Sequence, residues 1–64
     1  METVRAIIKR RDQVDDDVVD GMMEAFGEAV ADGEDPEEAL AMEFGLEPDY
    51  IMDAEIWRKI EANM

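Results

Sequence analysis

Apolar residues recur at helical intervals along most of the chain. From Gln13 to Ala31, a wheel at about 100° per residue gathers Val14, Val18, Val19, Met22, Met23, Ala25, Phe26, Ala29 and Val30 onto one half. Asp16, Asp17, Asp20, Glu24 and Glu28 fill the other half, so the spacing predicts an amphipathic helix over 13–31. Asp15 is the one acid out of place. Asp12 is expected to cap this helix, and Asp32-Gly33 to end it with Gly33 in the left-handed C′ conformation. Gly21 and Gly27 lie on or near the polar side, each weakening the helix by about 1 kcal/mol relative to Ala. Either plain local weakness or the close approach of a partner accounts for them.

Two further segments are punctuated just as clearly. Asp35-Pro36-Glu37-Glu38 is a compact helix start, with Asp35 as cap, Pro36 at the first helical position and Glu38 at the capping-box position. That helix carries Leu40, Ala41 and Phe44 and stops at Gly45. Pro48 opens another through Tyr50, Ile51, Ala54, Trp57 and Ile60, with Asp53 placed to recap it midway. At the start, Thr3 to Arg11 has Val4, Ile7 and Ile8 at helical spacing and a basic last turn that suits a helix C-terminus. A strand there would need a partner, and none is found. Whether this segment runs into the next helix or breaks near Arg11-Asp12 stays open. Loops of two to four residues and the absence of internal repeats predict one all-α domain over 1–64, a compact bundle of three to four short helices.

Helix 36–44, then Gly45-Leu46, then a helix from Pro48 resembles a helix-turn-helix unit. Ala41, Gly45, Leu46 and Ile51 stand at the positions of that superfamily's pattern, and Leu40 and Phe44 fill its apolar places on the first helix. The resemblance spans about residues 39–55, and its positions chiefly fix how two helices cross. It implies a tri-helical fold and DNA binding through the second helix. In DNA-binding members that helix presents basic or polar groups to bases and phosphates. Here the matching exposed positions are Glu47, Asp49, Asp53 and Glu55, and a carboxylate facing a phosphate weakens binding that depends on phosphate neutralisation.

Charge decides what the fold is expected to do. The 64 residues hold six Lys or Arg against nineteen Asp or Glu, a net charge of −13. Residues 1–11 carry Arg5, Lys9, Arg10 and Arg11, and residues 58–64 carry Arg58 and Lys59. Between them residues 12–57 contain seventeen acids and no base. Such a surface repels phosphate backbones and attracts basic partners. With 47% apolar residues in register, the chain is expected to fold despite this charge.

Composition also removes chemistry. No Cys, His or Ser is present, which excludes a disulfide framework, the usual zinc sites and Ser- or Cys-based triads. The acids from Asp12 to Asp20 do not follow the EF-hand order, because Val18 or Val19 falls on a ligand position in either register. No enzymatic activity, cofactor or metal is expected. No apolar run approaches the roughly 20 residues of a membrane span, and the N-terminus lacks the apolar stretch of a signal peptide. A cytoplasmic location is the expectation. Met22 and Met42 are expected to fill core gaps, and Phe26, Phe44, Trp57 and Tyr50 to bury their rings.

The functional expectation is a small acidic protein-binding module that occupies the basic nucleic-acid-binding surface of a target protein. In its strongest form it acts as a DNA mimic. In size and charge it resembles the small acidic inhibitors that phages deploy against nucleases, restriction enzymes, CRISPR effectors (as anti-CRISPR proteins) and polymerases. The expected binding carboxylates are Asp16, Asp17, Asp20, Glu24 and Glu28 on the long helix, with Glu47, Asp49, Asp53 and Glu55 beyond it. No direct nucleic-acid or membrane contact is expected, and residues 5–11 would lie away from the partner or against a second copy in a homodimer. The alternative is a dimeric helix-turn-helix transcriptional regulator using Arg5, Lys9, Arg10 and Arg11 as phosphate contacts. A third reading gives the acids no partner, as in a halophilic or merely solubilised domain.

Overall fold

The computed structural model describes residues 2–63. These residues fold as four α-helices, α1 (Val4–Asp12), α2 (Asp16–Ala31), α3 (Pro36–Phe44) and α4 (Ala54–Ala62), with a 3-10 helix at Pro48–Met52 between the last two. No strand occurs among the described residues, the segment after Thr3 is helical through Asp12, and the all-α bundle expected from the sequence is what forms.

Local chemistry sets the helix ends. Thr3 Oγ1 accepts from the Ala6 amide at 3.1 Å, and Asp35 Oδ1 accepts from Glu37 at 2.8 Å. These satisfy backbone donors that have no partner within the helix. At the end of α2 the Gly33 amide donates to Val30 O at 3.0 Å and the Glu34 amide to Ala29 O at 3.1 Å. That pair of bonds is a Schellman motif, and it places Gly33 at φ 98°, a conformation that favours glycine. Gly45 closes α3 in the same left-handed region, φ 67°.

The long helix starts later than its periodicity suggests. Asp12 is the last residue of α1 rather than a cap, Gln13 turns the chain at φ 54°, and Asp15 caps α2 by accepting from the Val18 amide. Asp15 therefore sits outside the helix, which explains its place on the apolar half of the wheel. The helix expected from Pro48 is likewise interrupted at Asp53, whose extended backbone (ψ 135°) separates the 3-10 helix from α4.

Each helix contributes one stripe to a shared core. Val4 and Ile8 come from α1, Val19, Met23 and Phe26 from α2, Ala39, Leu40 and Phe44 from α3, and Ile56 and Ile60 from α4. The Phe26 and Phe44 rings meet with centroids 6.1 Å apart, tilted at 49°. Among the described residues no polar or charged one is buried with them. Two core expectations fail for one reason, that helical angle outranks residue type. Trp57 lies about 100° round from Ile56 and is 43% exposed. Met42 lies about 200° from Leu40 and is 73% exposed, while Met23, and in part Met22, fill the core.

Gly27 is buried too, not part of the polar face. A Cβ there would stand 3.3 Å from Asn63 Nδ2 and 3.6 Å from Lys59 Cδ, so the close approach it permits is that of α4. At Gly21 a Cβ would meet nothing within 4 Å.

Phe26→Ala should cost roughly 3–5 kcal/mol in urea unfolding, comparable with the whole stability of so small a domain. Trp57→Ala should cost clearly less. Equal losses at the two sites would contradict this core.

Candidate protein-binding surface

The acids sort into two groups by whether the chain itself supplies a cation. Arg5, in the first turn of α1, is the hub of the first group and is only 26% exposed at its side chain. Its Nε and one terminal nitrogen grip both oxygens of Glu55 at 3.1 and 2.6 Å. The terminal nitrogens also donate to Asp20 Oδ1 at 2.5 Å and to Asp16 Oδ1 at 3.1 Å. One guanidinium thus joins the starts of α1, α2 and α4, using the planar fork that lysine lacks. Lys9, one turn on, donates to Asp16 Oδ2 at 3.2 Å.

Asp53 acts beside this hub. Its Oδ1 accepts from the Glu55 and Ile56 amides at 3.0 and 3.2 Å, capping α4. Its Oδ2 accepts from the Val4 amide at 2.9 Å, a free donor at the start of α1. Four of the nine carboxylates expected to face a partner, Asp16, Asp20, Asp53 and Glu55, therefore serve the chain's own fold. Asp16 and Asp20 remain about 60% exposed at their side chains even so.

The other five have no ion-pair partner among the described residues. Asp17, Glu24 and Glu28 are exposed on α2. With Asp20 they form a stripe within about 80° of arc, successive positions rising roughly 4.5–6 Å along the axis. Glu47 precedes the 3-10 helix and makes no side-chain cap. Asp49 lines a groove with Tyr50 and Met52. No group of three or more Asp or Glu among the described residues is placed to hold a metal ion, and no described helix is long and apolar enough to cross a membrane.

Sequence reasoning missed Arg5 as an organising residue. A signal was present, because Arg5 and Lys9 are four residues apart on one helix and Asp16 and Asp20 are four apart on the next. The remaining α1 cations are engaged as well. Arg10 pairs with Glu2, and Arg11 grips Asp12 through two bonds of 3.0 and 3.1 Å.

These contacts shift ionisation in a defined direction. The hydrogen bonds that Arg5 donates to Glu55, then to Asp20 and Asp16, push its guanidinium further above its already high value. Arg5, then Lys9, hold the Asp16 carboxyl below the usual aspartate range. The Arg11 guanidinium does the same to Asp12.

The chain matches no family model, no curated protein and no solved structure.

Two outcomes follow from this geometry. A lowered carboxyl contributes stability that is fully present above its unfolded value, near about 3.9, and lost as pH falls through the folded one. Asp16→Asn should therefore lower the melting temperature at neutral pH, and the gap from the parent should close as pH drops from about 4 to about 2. Asp53→Ala removes acceptors at two helix starts and should cost about 2 kcal/mol in urea unfolding, the upper end for a cap.

Proposed function

We propose that this protein is a small acidic binding module that occupies a basic, nucleic-acid-binding surface of another protein, acting by occupancy without a chemical step. The observation that carries the reading is the separation of its charges. The cations of α1 are engaged by carboxylates of the same chain, while Asp17, Glu24 and Glu28 on α2 and Glu47 and Asp49 beyond α3 make no ion pair among the described residues. Across 46 residues no Lys or Arg dilutes that field. A surface of this kind accelerates encounter with a basic groove and gives binding that weakens with salt.

Spacing supports the duplex-mimicking form of the reading. Carboxylates rising roughly 4.5–6 Å apart along α2 present charges at intervals close to those of phosphates along a strand. Inhibition of a nuclease, polymerase or defence effector of phage–host conflict is the biological role such a decoy would fill.

The regulator alternative is weakened by the same contacts. Arg5, Lys9, Arg10 and Arg11, its intended phosphate contacts, would each have to leave a carboxylate partner. The groove-entering helix is also shortened, because the segment from Pro48 is a five-residue 3-10 helix that ends at Met52.

The test is capture of a target from lysate, followed by competition and variants. The retained protein should be released by moderate salt and displaced by duplex DNA. Reversal of Asp17, Glu24 and Glu28 to Lys should abolish retention while the helical circular dichroism persists, because none of the three contacts its own chain through an ion pair. Arg10→Ala with Arg11→Ala should leave retention intact. A shift of DNA by the chain itself, lost in the arginine variant, would instead establish the regulator.

A further inference from the structure

The 3-10 helix Pro48–Met52 buries none of its residues. Met52, at its end, is 75% exposed, and Tyr50 is half-buried. Together with Thr3 and Ala54 they wall an open, mostly apolar groove where the start of α1 meets the start of α4. Three carboxylates border it, and two are spent. Glu2 is bonded to Arg10. Asp53 accepts three backbone amides on its two oxygens. Asp49 alone has no ion-pair or hydrogen-bond partner among the described residues.

An apolar wall ending in one unpaired carboxylate is complementary to a side chain with an aliphatic stem and a cationic tip. We infer that this groove receives a single long basic side chain, arginine or lysine, of the protein to which the acidic surface binds. The inference rests on the function proposed above and adds to it an anchor point away from the α2 stripe. Met52 supplies an adaptable thioether along the stem. The Tyr50 ring offers a face to the cation, and Asp49 neutralises it. An acidic occupant would be repelled by Asp49, and a purely apolar one would leave that carboxylate uncompensated and partly desolvated.

Nuclear magnetic resonance of the whole 15N-labelled chain tests the groove with a defined probe, the tripeptide acetyl-Gly-Arg-Gly-amide. The same peptide with citrulline, which keeps the stem and removes the charge, is the control. Saturable amide shifts are expected at Thr3, Asp49, Tyr50, Met52 and Ala54, with the citrulline peptide weaker by about fivefold or more, the loss of one charge-assisted contact. Asp49→Asn and Met52→Ala should each weaken the arginine peptide by about threefold while leaving the rest of the spectrum unchanged. Equal binding of the citrulline peptide would overturn the inference, as would the absence of shifts in the groove. Shifts confined to residues 17–28 would discard the groove yet leave the acidic-surface reading standing, since that reading fails only when the α2 reversals leave the captured target bound.

Discussion

One guanidinium holds the corner at which three helices begin. Helix N-termini carry partial positive charge, so α1, α2 and α4 starting near one another would repel if left bare. The chain resolves this by crowding carboxylates into the corner. Asp15 caps α2, Asp16 and Asp17 occupy its first turn, and Asp53 and Glu55 stand at the start of α4. Those acids would in turn repel one another, and Arg5 is the cation that binds Asp16 and Glu55 at once, together with Asp20 one turn further along α2. Much of what looks like surplus negative charge in the sequence is therefore structural. A lysine could not replace Arg5, since it has no planar fork to span both oxygens of Glu55 while reaching α2.

Away from that corner the balance changes. The exposed side of α2 beyond Asp20, the first turn of α3 and the approach to the 3-10 helix carry acids that make no ion pair among the described residues, although Lys59 of α4 borders Glu24 and Glu28. Glu37 and Glu38 still favour the dipole of α3, but Glu24, Glu28, Glu43, Glu47 and Asp49 do not sit at the start of an α-helix. The apolar core of Val19, Met23, Phe26, Leu40 and Phe44 tolerates their repulsion, since it contains no polar group that would need a partner. The molecule thus carries one set of acids that it satisfies itself and another that it leaves unpaired, and the proposed binding activity belongs to the second.

What the sequence revealed and what it hid divide by the range of the interaction. Asp35-Pro36, Gly45 and Asp32-Gly33 were readable as helix boundaries because caps act over three or four residues. Even the interruption at Asp53 was visible as a second cap. The break at Gln13 was not, since a left-handed glutamine has no marker in composition. Trp57 and Met42 misled because hydrophobicity names a class of residue and not the side of the helix it faces. The candidate surface suffered most. Asp16, Asp20, Asp53 and Glu55 looked like outward acids, and, the local cap at Asp53 aside, their partners lie from 7 to 50 residues away in sequence. Asp17, Glu24 and Glu28 were placed correctly on the outer face by periodicity alone.

The bond from the Val4 amide to Asp53 has a consequence for the order in which the molecule comes apart. It spans 49 residues and is shared between two helix starts. Removing α4 deprives α1 of an acceptor for its first amide and of Glu55, the two-handed partner of Arg5. Removing α1 leaves Glu55 and Asp53 as crowded anions at the start of α4. Each terminal helix packs on α2, and the loss of either one strips the other of partners at its first turn.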